Sequence, residues 1–361
     1  MSPAETSTAA TSTVEPGRHL PGRVVRRGAL SLRWQPRSVV VALGLLLLTA
    51  VVGVLAMTQG TVEVSPSDVL RGVLGTSQDA TTARVVRGIR LPRFVTGVAV
   101  GAALGMAGAI FQSVSRNALG SPDIIGFTAG SATGAVLQII VFDGGPLDVA
   151  IWAVGGGVLC AVGVYTLSMR RRTSGGYRLV LVGIGVGALL SAVNSLLLTR
   201  SDLDHALEAQ LWLQGSLTAR RWEQAVPVLA VLTVVGPIAA AAGRRLDLME
   251  MGDDTATQLG LRVERERLFL VVVGVVLTAV ATAAAGPISF VALAAPQLVR
   301  RLTRGTGAHL VPAAVMGSTL LVCADLLSQH VPFRWSVPVG LTTGLLGGIY
   351  LLWLLGRSGK V

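Results

Sequence analysis

The sequence predicts an all-α protein that crosses a membrane about ten times, and three observations support this fold class. Only 14% of the 361 residues are charged, whereas about a quarter are charged in an ordinary soluble domain. Long uncharged runs recur along the chain, and Lys and Arg are concentrated in alternate intervals between them. The net charge of +11 therefore indicates membrane topology and not a basic face that binds nucleic acid.

Nine runs contain no Asp, Glu, Lys or Arg. They cover residues 38–62, 94–115, 124–142, 149–169, 179–199, 224–243, 268–299, 305–324 and 335–356. Eight of them suit one helix each, since about 20 apolar residues cross a bilayer. The run 268–299 would form a helix of about 48 Å against about 30 Å of hydrocarbon, and Gly286-Pro287 interrupts it. A split at that point gives ten spans.

The distribution of cations tests the number of spans. With ten spans and the N-terminus inside, 21 of the 30 Lys and Arg residues lie on inner segments and nine on outer ones. Because inner loops carry the excess of Lys and Arg, both termini are predicted to be cytoplasmic. Residues 1–37 are predicted to be a disordered cytoplasmic tail, 38–356 the ten-helix domain and 357–361 a short cytoplasmic C-terminus.

Several kinds of site have no support in the sequence. Lys360 is the only lysine, and the Gly-Lys-Ser/Thr of a phosphate-binding Walker A loop is therefore missing. Cys160 and Cys323 lie in or beside apolar stretches without ligand spacing, so they are predicted to be packing residues and no metal site is expected. No catalytic residue is predicted, because neither a buried nucleophile nor a His-rich motif is found.

Glycines at intervals of four mark two of the predicted spans. Gly97, Gly101 and Gly105 share one helix face, and Gly340 and Gly344 repeat the spacing in the last span. Such positions allow close contact between helix backbones, and we expect packing in preference to a ligand site.

The inner segment 244–267 is the longest charged interruption between spans. Within it, Met251 to Gly260 is predicted to form a short helix with Asp253 and Asp254 near its positive N-terminus and Gly260 as its stop signal. Such a short helix is unstable alone, so it must dock on its own membrane domain or on a partner. The sequence pattern leaves both alternatives open.

Two further charged features lie on the predicted outer side. The loop before the second span carries five arginines, which are suited to an acidic partner, an anionic substrate or lipid headgroups. Asp325 lies near the outer end of a span, where a hydrated or paired carboxylate is favoured over a proton relay.

An ordered series of motifs resembles the FecCD family of binding-protein-dependent ABC permeases. The motifs are Arg90-Leu-Pro-Arg93, Gly101 to Gln112, Arg116 to Gly126, Trp212 to Leu217, Gly252 to Gly260, Ala285 to Val291 with Pro296, Ala324-Asp325 and Val337 to Gly340. The resemblance covers about residues 38 to 356. It implies the BtuC-like fold of type II importers and uptake of a ferric siderophore across the inner cell membrane, with cobalamin or haem as alternative substrates.

The resemblance also implies partners and residue roles. Two permease subunits, in a homodimer or a heterodimer, would work with two ABC ATPase subunits, which bind ATP and Mg²⁺, and with an extracytoplasmic binding protein. No cofactor is expected in this chain. Arg90, Arg93 and Arg334 would meet acidic residues of the binding protein, and Asn117, Leu119, Thr173 and Ser174 would form part of the cytoplasmic gate. Seven residues would contact the ATPase: Gly252, Asp253, Asp254, Thr255, Ala256, Leu259 and Gly260.

The chain departs from the family pattern at three places. Asn117-Ala-Leu-Gly120 replaces Asn-Pro-Leu-Ala and would loosen the gate loop, and Gln297 stands where a histidine is usual. Gly347-Gly348-Ile replaces Gly-Ala-Pro near the end. The alternative of another class is a proton-coupled secondary transporter that uses Asp325 as its relay.

Overall fold

The computed structural model describes ten stretches of the chain, and every structural statement below refers to them. They are residues 23–27, 30–34, 36–60, 62–77, 79–123, 126–170, 173–174, 176–305, 307–330 and 337–358. Arg334 and residues 1–22 of the predicted tail lie outside the described residues.

The described residues form fifteen α-helices, one π-helical segment and four short strands. The helices are α1 (Pro36–Thr58), α2 (Pro66–Leu74), α3 (Ala80–Val85), α4 (Leu91–Ser115), α5 (Phe127–Ile140), α6 (Pro146–Ser168), α7 (Gly176–Arg200), α8 (Leu203–Leu213), α9 (Trp222–Ala241), α10 (Gly243–Glu250), α11 (Asp253–Gln258), α12 (Val263–Ala285), α13 (Val291–Thr303), α14 (Leu310–Gln329) and α15 (Val339–Ser358). The π-helical segment is Val86–Arg90, and the strands are β1 (Arg23–Arg27), β2 (Leu30–Trp34), β3 (Met169–Arg170) and β4 (Thr173–Ser174).

Each of the ten predicted spans corresponds to one helix. Seven helices in the described part are long and apolar enough to cross a membrane. They are α1, α6, α7, α9, α12, α14 and the continuous helix Ala80–Ser115, of which α4 is the last part. The other three, α5, α13 and α15, are shorter than a full span or less apolar. The predicted split of the longest run is confirmed, because α12 ends at Ala285 and α13 begins at Val291. Gly286 has φ +74° there, a conformation that suits glycine.

Helix α4 is the centre of the bundle and packs against α9, α12, α13 and α14. Gly101 and Gly105 allow this, which confirms the packing role predicted for them, whereas a Cβ at Gly344 of α15 would meet nothing within 4 Å. A Cβ at Gly101 would lie 2.4 Å from the Gly317 carbonyl oxygen of α14, and one at Gly105 would lie 2.1 Å from that of Ala313. A Cβ at Gly108 would lie only 1.7 Å from the Ala292 oxygen of α13. Backbones therefore meet without intervening side chains.

The start of α1 and the last part of α15 lie at the same end of the bundle. Arg37 Nε at the start of α1 donates to the Leu302 carbonyl oxygen near the end of α13, at 2.8 Å. Arg301, the residue before Leu302, lies over the rings of Tyr350 and Trp353 near the end of α15. This arrangement agrees with an even number of crossings. We call this end, which also carries α10 and α11, the inner end, and we call the opposite end the outer end.

Several short elements are additional to the predicted spans. At the outer end, Ser65 caps α2, Asp79 caps α3 and Asp202 caps α8, each by accepting a hydrogen bond from a backbone N–H in the first turn of its helix. Strands β1 and β2 pair antiparallel within the segment predicted as a disordered tail. Their Val and Trp residues have high β-propensity.

Candidate coupling and docking sites

The segment predicted to contact an ATPase forms a compact helical turn at the inner end. Helix α11 begins at Asp253, and Gly260 has φ +86° just beyond its end. Leu261 N donates to the Ala256 oxygen at 3.0 Å, and Gly260 N donates to the Thr257 oxygen at 2.9 Å. This pair of bonds is the glycine-dependent stop that the sequence indicates. The predicted short helix is therefore confirmed.

Asp253 anchors one side of α11 to the membrane helices. Both of its carboxylate oxygens accept from Arg267 Nη2 of α12, at 2.9 and 2.8 Å. Arg267 is only 2% exposed and also pairs with Glu264, so a buried cation lies between two carboxylates. Arg116, which follows α4, lies 3.6 Å from Asp253 Oδ1. The segment thus docks on its own membrane domain.

Glu250, at the end of α10, makes a second anchor. Its Oε1 accepts from Ser113 Oγ of α4 at 2.6 Å and from Arg300 Nη2 of α13 at 2.8 Å. Ser113 lies in the last turn of α4, and Arg116 is the first residue of the gate loop, by which we mean residues 116–120. Contacts of Glu250 and Asp253 therefore join the inner segment to α4, α12 and α13.

The opposite side of the segment is free of the bundle. Asp254, Thr255, Leu259 and Gly260 are exposed, whereas Ala256 is buried against the bundle and Gly252 is half-buried. Leu259 is 59% exposed and Met251 is 63% exposed, so two large apolar side chains lie beside an acidic one. An exposed apolar group rimmed by polar residues is typical of a protein contact.

The gate loop is held by hydrogen bonds to its own polar groups and to α13. Asn117 Oδ1 accepts from Leu119 N at 2.9 Å, and Gly120 N donates to the Asn117 oxygen at 2.9 Å. The Leu119 side chain is exposed. Gln297 Nε2 of α13 donates to the Ala118 carbonyl oxygen at 2.7 Å. Gln297, which the sequence marked only as a departure from the family pattern, is thus a direct partner of the loop.

In the other two departures the structure gives a steric reason for Gly120 and for Gly347, which the family pattern shares, whereas a Cβ at Gly348 would meet nothing within 4 Å. A Cβ at Gly120 would lie 2.3 Å from Ser115 Oγ, so the tight end of the gate loop favours glycine. A Cβ at Gly347 would lie 2.0 Å from Cγ of Phe290, so this glycine makes room for the Phe290 ring. The other two predicted gate residues, Thr173 and Ser174, form β4; their side chains are outside the described part of the structure.

At the outer end, Arg93 forms an intramolecular ion pair that the sequence did not indicate. Its Nε and Nη2 donate to the two oxygens of Asp325, at 3.0 and 2.8 Å. Gln329 Nε2 also donates to Asp325 Oδ2, at 3.1 Å. Asp325 is 8% exposed and Arg93 24% exposed. The sequence predicted that the Asp325 carboxylate is either hydrated or paired, and the structure confirms that it is paired.

The Arg90 side chain is also directed toward its own chain. It donates to the carbonyl oxygens of Met57, in the last turn of α1, and of Val62, in the following loop. A cavity of about 220 Å³ lies beside both arginines and is lined in addition by Asp325 and Gln329. Arg71, Arg84 and Arg87 of the same loop are exposed. Arg334 lies outside the described residues.

The ten helices and the two charged ends define a polytopic membrane protein. Within the described ranges, no group of three or more His, Cys, Asp or Glu residues is placed to hold a metal ion. The sequence profile of the FecCD transport family matches residues 47–357. The chain therefore belongs to the FecCD family of ABC permeases and is a multi-pass protein of the inner membrane.

Individual relatives agree with this assignment. The chain is 42% identical to the ferric enterobactin transport system permease protein of Escherichia coli (strain K12), over 88% of this chain and 96% of that protein. It is 35% identical to the cobalamin import system permease protein of Halobacterium salinarum (strain ATCC 700922 / JCM 11081 / NRC-1), over 76% of this chain and 74% of that one. A solved inward-facing structure, described as a metal-chelate type ABC transporter, matches with a TM-score of 0.77 at 25% identity, over 89% and 99% of the two chains.

Proposed function

We propose that this chain is the membrane-spanning subunit of an importer that moves a ferric siderophore into the cytoplasm. Two separate ATPase subunits bind ATP and Mg²⁺, an extracytoplasmic binding protein delivers the substrate, and a second permease subunit completes the pathway. This chain itself carries out no bond chemistry. Its task is to convert motion at the inner end into opening and closing of the pathway.

The observation that carries the proposal is the two-sided arrangement of α11. Asp253 and Ala256 fix one side of this helix to the bundle, while Asp254 and Leu259 are exposed on the other. A helix that only covered the inner surface would direct its apolar side chains toward the bundle. Exposed Leu259 and Met251 instead suit a cleft on an ATPase subunit.

The outer end supplies the contact for the binding protein. Arg71, Arg84 and Arg87 are exposed in the same loop as Arg90 and Arg93, although Arg87 Nε donates to the Gly72 oxygen. Acidic residues on the binding protein's lobes would be attracted to these cations. Arg93 takes part while it remains paired with Asp325, because one edge of its side chain faces the outer cavity. Arg334 is included in this surface on the strength of the family resemblance alone.

A ferric siderophore is the favoured substrate because the relative that transports ferric enterobactin shares more identity over more of the chain than the cobalamin relative does. The test is uptake of radiolabelled iron by a strain that lacks this chain and by the same strain with the chain restored. The panel contains several ferric siderophores, including ferric enterobactin. Restoration by one of them is the expected result.

The same strains distinguish the alternatives. If the restored chain recovers uptake of labelled cobalamin or haem and has no effect on iron uptake, then cobalamin or haem, and not a ferric siderophore, is the substrate. A secondary transporter would keep taking up substrate after loss of the ATPase and would lose transport on Asp325→Asn. The ion pair does not favour such a proton relay, because both carboxylate oxygens of Asp325 accept hydrogen bonds from Arg93.

A further inference from the structure

Helix α13 contacts both the gate loop and the inner segment. Gln297 Nε2 donates to the Ala118 oxygen of the gate loop and, at 3.1 Å, to Gln112 Oε1 of α4. Arg300 Nη2 donates to Glu250 Oε1 at 2.8 Å. Gln297 and Arg300 are three residues apart, so they share one helix face. A single turn of α13 therefore joins the two regions.

The two ends of α13 are held by different kinds of contact. Before α13, residues 286–290 are not helical, and Gly286 and Phe290 have φ +74° and +68°. Close backbone contacts fix this stretch: a Cβ at Gly215 would lie 2.2 Å from the Pro287 oxygen, and one at Gly286 would lie 2.8 Å from the Trp212 oxygen.

The first turn of α13 is also fixed, by the contact between Gly108 and Ala292. Gln297 and Arg300 lie one to two turns further on, where side-chain hydrogen bonds to Ala118 and Glu250 add to the apolar packing of Ala295 and Val299. A short helix with a fixed start, an interrupted backbone before it and Pro296 inside it, which cannot donate a backbone hydrogen bond, is suited to pivoting. Its inner end can then follow a displacement of the inner segment.

We infer that α13 is the lever that carries motion from the ATPase contact to the gate loop. Arg300 receives the displacement of Glu250, and Gln297 delivers it to the Ala118 carbonyl. Gln297 is thus a positioning residue: its amide nitrogen has two N–H groups, which serve Ala118 and Gln112 together. The inference rests on the proposed function, since it requires an ATPase at α11 and a gate at residues 116–120.

The test uses the complete importer in proteoliposomes, with its ATPase subunits and loaded binding protein. We compare substrate uptake and binding-protein-stimulated ATP hydrolysis for Gln297→Leu, Arg300→Gln, Glu250→Gln and the last two combined. The matched control is Arg301→Gln, because Arg301 is the next residue of α13 and lies over Tyr350 and Trp353. Size-exclusion chromatography verifies that every variant assembles.

For Gln297→Leu we expect uptake per ATP hydrolysed to fall about tenfold, since two hydrogen bonds to the loop and α4 are lost. Gln297→His, which restores an N–H donor, should recover part of the loss. Glu250→Gln and Arg300→Gln should each lower the ratio, and their combination should be no worse than the stronger single change. Arg301→Gln should leave the ratio unchanged.

Two results would overturn the lever: an unchanged uptake-to-ATP ratio in Gln297→Leu, or additive effects of Glu250→Gln and Arg300→Gln. If the Gln297→Leu complex does not assemble, the double-mutant cycle of Glu250→Gln and Arg300→Gln tests the lever by itself. Failure of the proposed function looks different. In that case the unaltered complex itself would show neither siderophore uptake nor stimulated ATP hydrolysis, and the inference would fall with it.

Discussion

The outer and inner ends of the bundle both carry charged residues that were predicted to meet a partner, but they use them differently. At the outer end, Arg93 and Arg90 are directed to acceptors within the chain, namely Asp325 and two backbone carbonyls. At the inner end, Asp253 is bound to Arg267 while Asp254 and Leu259 remain exposed. The difference shows that charge and location identify an end of the molecule, whereas only the contacts identify which side chains are available to a partner.

The largest expected effect comes from breaking the outer ion pair. Arg93→Gln leaves Asp325 buried without its cation, and we expect the protein to lose about 3 kcal/mol of stability. Thermal unfolding in detergent measures this loss as a lower midpoint. The double variant with Asp325→Asn should recover most of it, because the uncompensated charge is then removed.

Arg84→Gln serves as the outer control, since Arg84 is exposed on the same loop. It should leave the midpoint unchanged. Equal midpoints for Arg93→Gln and Arg84→Gln would mean that the Arg93–Asp325 pair adds nothing to stability, and the contrast between the two ends would be lost.

At the inner end, Arg267→Met should produce the next largest effect. Loss of the buried guanidinium frees Asp253, so α11 is expected to detach from α12 at a cost of about 2 kcal/mol. Limited proteolysis between α10 and α12 measures the exposure of this segment. Arg265→Gln is the neighbouring control, because Arg265 is exposed; equal cleavage of both variants would contradict the anchoring role of Arg267.

A charge on the free side of α11 should leave the fold intact and weaken only the partner contact. Leu259→Asp is expected to lower co-purification of the ATPase about tenfold, since an apolar anchor is replaced by a hydrated carboxylate. The thermal midpoint should remain as in the unaltered protein. Leu203→Asp places the same change at an exposed leucine of the outer end, and ATPase recovery should not respond to it.

The smallest effect concerns a histidine at the outer end. The hydrogen bond to Asp143 and the nearby charge of Asp202 raise the pKa of His205 above its usual value of 6.5. A raised pKa means that the stabilising contribution is fully present below about pH 6.5 and is lost as the pH rises through the higher value in the folded protein. Thermal midpoints between pH 5 and 9 should therefore fall more steeply for the unaltered protein than for His205→Asn. Parallel pH profiles would disprove this contribution.

The spans were predictable because their signal is local and repeated. Uncharged runs fix the positions of the helices, and Gly286-Pro287 and Gly260 mark two breaks through backbone conformations that sequence patterns report well. The caps Ser65 and Asp202 were visible too, and they could have revealed α2 and α8 had the outer loops been searched for helix starts.

The partners of the site residues were not predictable from sequence. Arg93 and Asp325 are 232 positions apart, and Gln297 and Ala118 are 179 apart. No local pattern specifies such contacts, since they depend on how α4, α13 and α14 cross. For Gln297, the family resemblance indicated an unusual residue, but only the packing of α13 against the gate loop gives it a role.

The meeting of the two ends of the domain at α13 has a practical consequence. Arg37 and Trp353 both lie against the last turn of this helix, through Leu302 and Arg301. Halves of a split fluorescent reporter fused before α1 and after α15 would therefore emerge beside each other and reassemble within one chain. Because the halves must be on the same side of the membrane to meet, the signal would test the shared location of both ends in living cells without any substrate.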